Sequence, residues 1–187
     1  MTARTMLGLS SVLLGPNRLI AALQAPFQFY LHQNQPDAAV GYNWGTRNHG
    51  RSNIQLHHEM ILQLRRRMED RFGIGAERTV LLGFSQPVGF DYRFAATYPD
   101  EVGGVIGICG GVPKDWETGN YGNVVCPLLH IARKDDEFFP ESITADYKRK
   151  LSHRATDVEF HLLPGGHRFP SKGGPIVESW LRRVLPG

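Results

Sequence analysis

The sequence is poor in the features that would mark a secreted scaffold, a membrane protein or a repeat array. Two cysteines among 187 residues are too few for a disulfide framework. Cys109 and Cys126 each lie at or beside an apolar, strand-like run, which reads as two buried free thiols in a reducing compartment, with no metal site. No apolar run approaches the roughly twenty residues needed to cross a bilayer, so no membrane span is expected. Charge is nearly balanced, at +3. The run Arg65-Arg66-Arg67 sits in a helical pattern beside Glu69 and Asp70, as a solvated helix face would, and no nucleic-acid partner is expected. There is no repeat, low-complexity segment or convincing linker, so residues 1–187 read as one domain.

What is present alternates. Met6 to Leu14 is apolar, either a first helix or a strand remnant, and Arg18 to Gln24 reads as a buried strand closed by Ala25-Pro26. The likeness of Ala22-Leu23-Gln24-Ala25 to a signal-peptide cleavage site is loose. Cleavage there would remove that strand, so a structural segment and a cytoplasmic protein are expected. Phe27 to Asn53 reads as a long aromatic loop, either a binding loop or one whose Trp44 covers the core. A helix capped by Ser52 or Asn53 runs to about Phe72 and stops at Gly73. Further strands are expected at Thr79–Phe84, Val102–Cys109, Val124–Ala132 and Asp157–Leu163, with helices at Gln86–Tyr98, Glu141–Ser152 and Gly174–Leu185. That alternation implies a mostly parallel sheet covered by helices on both faces.

The chemistry gathers where strands end, because reactive groups in a parallel α/β sheet sit at the carboxyl ends of strands. Thr79 to Phe84 runs into Gly83-Phe84-Ser85-Gln86-Pro87, the strand, tight turn and helix of a nucleophile elbow, with proline where a second glycine is usual. Pro87 removes no donor the reaction needs, since proline is tolerated in the first helical turn. The elbow would aim the Gln86 N–H at an oxyanion. After the Leu128–Ala132 run come Asp135 and Asp136, and after Phe160–Leu163 comes His167. A serine hydroxyl attacks carbonyls only when an imidazole takes its proton and a carboxylate orients that imidazole. Ser85, Asp136 and His167 fit those roles in chain order, with Asp135 competing for the acid position.

These motifs resemble the phospholipase/carboxylesterase group of α/β-hydrolases, which includes acyl-protein thioesterases. The likeness rests on Gly83-Phe84-Ser85-Gln86, Gly107-Ile108-Cys109-Gly110-Gly111, Asp136 to Pro140, Pro164-Gly165-Gly166-His167, and Ala25-Pro26-Phe27 with Trp44. It implies an α/β-hydrolase fold and cofactor-free hydrolysis of carboxylic or thiol esters through an acyl-enzyme. Group members begin with a strand and a His-Gly-x-Gly-like loop that gives a second oxyanion N–H, and nothing before Arg18 matches it. The N-terminal strands therefore read as shortened or missing, with Leu7-Gly8-Leu9-Ser10 as a possible remnant of the loop. An unprotected sheet edge would then suit a homodimer. The insert between Gly110 and Val124 is too short for a large cap domain. An open site lined by Phe27, Tyr42, Trp44, Trp116 and Phe138 is expected, suited to small-molecule esters with short acyl or aryl groups. A non-catalytic binding module on this fold, and a thioesterase or acyltransferase with the same triad, are the competing readings.

Overall fold

The computed structural model describes residues 1–31, 39–170 and 172–185. Four parallel strands make the central sheet: β3 (Val80–Phe84), β4 (Gly104–Ile108), β5 (Leu128–Arg133) and β6 (Val158–Leu163), in the order β3-β4-β5-β6. A separate antiparallel hairpin joins β1 (Phe27–Tyr30) to β2 (Val40–Asn43). The helices are α1 (Ala3–Leu14), α2 (Gly50–Phe72), α3 (Pro87–Thr97), α4 (Glu141–Thr144), α5 (Tyr147–Leu151) and α6 (Gly174–Val184).

β4 and β5 are buried along their length up to Arg133, as continuous apolar strands between two helical layers should be. On one face Tyr92 and Phe94 of α3, Ile61 of α2 and Leu151 of α5 pack with Trp116 and Leu128. On the other, Leu13 of α1 and Val177, Trp180 and Leu181 of α6 pack on Ile106, Ile108, Leu129 and Ile131. The fold is of the α/β-hydrolase type, with no large cap among the described residues. The parallel register, Val80 opposite Gly104 and Leu128 opposite Val158, brings the carboxyl ends of β3, β5 and β6 to the same edge of the sheet.

Several expectations are corrected. Arg18 to Gln24 is not a strand, and it joins no ladder. Arg18 is held instead to the end of α1 through the Leu14 carbonyl and to α6 through Glu178, at 2.6 Å, and the segment lines the same cavity as β3 without pairing to it. The expected loop at 27–53 contains the β1–β2 hairpin, whose intervening residues 32–38 lie outside the described ones. Glu141 to Ser152 forms two short helices rather than one, and β5 begins at Leu128, after Pro127. Val124 makes only an isolated bridge to Ala155. α2 begins earlier than expected, at Gly50, preceded by His49 in a left-handed conformation. Its Asn53 side chain ties back to the Thr46 and Asn48 carbonyls. No helix among the described residues is long and apolar enough to cross a membrane.

Two core histidines shape the response to acid. His130 is fully buried, bonded to the Tyr92 hydroxyl at 2.7 Å, and burial pushes its pKa down to about 3. His58, buried among Phe94 and Tyr98, is pushed down to about 4 by burial and by neighbouring His57. Both stay neutral when folded, whereas the unfolded chain binds protons at each from about pH 6.5 downward. Stability should therefore fall as pH drops from about 6.5 to 4, by up to about 1.4 kcal/mol per pH unit for each histidine. Denaturant unfolding between pH 7 and 4 should show a shallower slope in His58→Phe. An unchanged slope would assign the effect to other groups.

Candidate active site

The site is built on a turn that leaves β3 sharply. Ser85 has a positive φ of 67°, unusual for a residue with a side chain. Its N–H still donates to the Ile108 carbonyl of β4 at 2.8 Å, so the ladder holds the turn while the side chain leaves the sheet. α3 then starts at once, with Pro87 in its first turn, and Val88 N–H reaches the Ser85 carbonyl at 3.3 Å. The close approach needs glycine at 83, where a Cβ would stand 3.0 Å from the Val88 nitrogen and would collide with Asp91. At Gly110 a Cβ would collide with the Val88 side chain.

From the other strand ends come the remaining expected residues. His167 Nε2 lies 2.9 Å from Ser85 Oγ, and His167 Nδ1 lies 2.8 Å from Asp136 Oδ2. Asp136 is buried, which opposes its charge. Hydrogen bonds from His167 and from the Phe139 and Phe138 N–H groups, both 2.9 Å to Oδ1, outweigh that and hold its carboxyl below the usual range. A charged Asp136 fixes the imidazole with its Nδ1–H toward the carboxylate and Nε2 free to accept from the serine hydroxyl. Asp135 does not reach the imidazole. Its Oδ2 accepts the Gly165 N–H at 3.2 Å, while Glu137 Oε2 accepts the His167 N–H at 3.1 Å. The acids on either side of Asp136 thus stitch its loop to the loop bearing His167. The sequence signal for this was only a run of three acidic residues.

Gln86 has two distinct ends. Among the described residues nothing accepts its backbone N–H, which leaves that donor free beside Ser85. Its side chain, by contrast, is fully engaged: Oε1 accepts the Trp44 N–H at 2.7 Å and Nε2 donates to the Gly45 carbonyl at 3.1 Å. Sequence reading missed this clasp, which spans 41 and 42 positions and has no local signature.

A cavity of about 1160 Å³ opens from Ser85 and His167 and extends along β3. Tyr42, Trp44 and Phe138 line it as expected, with Phe138 65% exposed at the mouth. Two expected lining residues do not. Trp116 is 1% exposed and packs in the core against Tyr92 and Tyr121, because its loop folds under α3. Phe27 sits on β1 outside the lining, and Phe29 and Leu31 take that place. Leu7-Gly8-Leu9-Ser10 lies inside α1, where its N–H groups serve the helix, so it is no oxyanion loop. A buried pair also missed by sequence, His57 and Asp91, borders the cavity with Nε2 to Oδ1 at 3.3 Å. Burial raises the Asp91 pKa, and the His57 hydrogen bond partly offsets that.

Among the described residues, Cys109, Asp136 and His167 place atoms able to ligate a metal within 4.8 Å of one another. The Cys109 thiol is pushed up to about 12 by burial and by Asp136, so it stays protonated and is a poor ready-made ligand. Both cysteines are free and buried.

Residues 47–185 match the model of a family described as phospholipase/carboxylesterase. No curated protein sequence matches the chain. Among solved structures, SOBER1 of Arabidopsis thaliana is similar with a TM-score of 0.77 and 20% identity, covering 100% of this chain and 94% of its own. A carboxylesterase from Mesorhizobium loti gives 0.73 and 18%, covering 97% and 83%. The Bacillus cereus carboxylesterase gives 0.67 and 14%, covering 99% and 84%. At such identities these likenesses speak for the fold.

The packing beneath Ser85 makes a direct prediction. Gly83→Ala inserts a methyl group against the Val88 backbone, which cannot rotate away, so about 1–3 kcal/mol of stability should be lost. Chemical denaturation measures it, and a loss below about 0.5 kcal/mol would show that α3 shifts freely.

Proposed function

The chain belongs to the phospholipase/carboxylesterase family and is a hydrolase of esters, and from that premise we propose that it works through an acyl-enzyme on Ser85. The observation that carries the reading is the unbroken hydrogen-bond chain from Ser85 Oγ to His167 to Asp136, at 2.9 and 2.8 Å. Ser85 Oγ attacks the acyl carbonyl while His167 Nε2 takes its proton, and charged Asp136 stabilises the imidazolium that results. The Gln86 N–H meets the negative oxygen of the tetrahedral intermediate. His167 then returns the proton to the departing alcohol. Water, deprotonated by the same imidazole, releases the acid. Each step is a proton transfer or acyl transfer among these groups and calls for no metal or organic cofactor.

The acyl or aryl part rests against Trp44, Tyr42 and Phe138 beside Ser85, which suits short acyl and aryl esters. Ser85→Ala should lower kcat/KM for p-nitrophenyl butyrate by about a thousandfold or more. Asp136→Ala should cost at least about a hundredfold, whereas Asp135→Ala, which loosens only the loop stitch, should stay within about tenfold. Persistent turnover in Ser85→Ala would sink the mechanism, and equal losses at 135 and 136 would sink the assignment of the acid.

Gln86→Ala separates the two ends of that residue. The backbone donor remains, but the hold on Trp44 and Gly45 goes, so KM should rise by up to roughly thirtyfold with a smaller change in kcat, given about 1 kcal/mol for each of the two lost hydrogen bonds. A loss confined to kcat would mean that the side chain acts on the reaction itself.

A further inference from the structure

Asp91 puts an ionisable group in the buried face of α3, among Val88, Tyr92 and Phe94. It is 4% exposed and presses on β3, where a Cβ at Gly83 would collide with its Oδ2. His57 of α2, 2% exposed, holds Nε2 3.3 Å from Asp91 Oδ1. Rings fix the imidazole in turn. It stands nearly perpendicular to Trp44 with centroids 4.7 Å apart, and Phe90 lies 5.2 Å away. Among the described residues His57 Nδ1 has no hydrogen-bond partner, and Asp91 has none beyond His57.

A carboxyl group has two oxygens and room for about four hydrogen bonds, so one long contact leaves it underused. Joining α2 to α3 does not account for the pair, because apolar side chains of similar volume in such a place are often as stable or more so. Both residues border the cavity that opens from Ser85, in a stretch of wall otherwise made by Ile61, Leu64 and Leu82. A polar pair in an apolar wall is where a cavity chooses its ligand.

The pair's chemistry narrows the choice. An ammonium group suits it only with Asp91 charged, and a carboxylate only with Asp91 protonated. A hydroxyl donates to the charged form and accepts from the protonated one, so its fit does not depend on where the proton sits. It also enters an apolar cavity at a lower desolvation cost than an ion. Gly83, against which Asp91 rests, is two residues back along the chain from Ser85, roughly 7 Å for extended backbone. A straight acyl chain of about six carbons spans that distance, at about 1.5 Å per carbon–carbon bond.

We infer that His57 and Asp91 form a subsite for a hydroxyl group on the acyl chain, so that the cavity selects esters of hydroxy acids over those of plain ones. Which end of the ligand meets Ser85 rests on the esterase reading. The hydroxyl subsite is tested by binding alone, so the two can fail separately.

The test uses Ser85→Ala, which holds ligands without turnover, with hexanamide and 6-hydroxyhexanamide as uncharged probes. Titration should show the hydroxy compound binding about threefold to tenfold tighter, as one added hydrogen bond would give. The hydroxy compound, and not hexanamide, should shift the NMR signals of the His57 ring. Asp91→Asn in the same background keeps a hydrogen-bonding group and should keep the preference. Asp91→Leu leaves the hydroxyl unpaired and should reverse it, with hexanamide about tenfold tighter. A pair that only joins two helices would weaken both amides alike and leave their ratio unchanged. Equal affinity for the two amides in Ser85→Ala, no measurable binding of the hydroxy compound, or an unchanged ratio in Asp91→Leu would overturn the inference.

Discussion

The structure depends on how closely the end of β3, the start of α3 and the end of β4 can approach one another. Ser85 can leave the sheet at φ 67° only because its N–H stays bonded to Ile108 and because nothing bulkier than hydrogen stands at 83 and 110. Backbone strain of this kind costs of order 1–3 kcal/mol and persists where surrounding packing over-determines it. Here that packing is Val88, fully buried between the strand ends. Pro87 fits the same geometry, since the first helical turn has no use for its missing N–H.

Around that turn, the proposed acid and base are positioned by backbone as much as by one another. Asp136 accepts two backbone N–H groups with one oxygen and the imidazole with the other, which keeps it charged although it is buried. Asp135 and Glu137 hold the neighbouring loop at Gly165 and His167. Phe84 and Phe138 flank the imidazole, with ring centroids at 5.1 and 4.8 Å, and limit its rotation. Three consecutive carboxylates therefore do different work, and only the middle one faces the base.

Local pattern carried much of this. The alternation of apolar runs and amphipathic helices placed α2, α3, α6 and all four sheet strands, because each helix buries a face that its period encodes and the strands are short continuous apolar runs. The strand-end positions of Ser85, Asp136 and His167 followed from the same order. Arg18 to Gln24 misled because an apolar run signals burial, not pairing, and here the Arg18 ties to α1 and α6 decide its path. Trp116 misled because an aromatic residue near the site in sequence is equally able to fill the core. The Gln86 clasp and the His57–Asp91 pair were invisible, since each joins residues more than thirty positions apart with no turn or period to announce it.

The Gln86 clasp has an evolutionary consequence. One residue carries both the free donor beside Ser85 and the anchor of the Trp44 wall, so the two cannot drift apart. Substitutions near Trp44 that reshape the wall pull on the same residue that would steady the oxyanion. Under the proposed mechanism, selectivity and rate would thereby be coupled traits in this scaffold. A laboratory lineage selected for a new ester should accumulate compensating changes around residues 43–46 and 86 together.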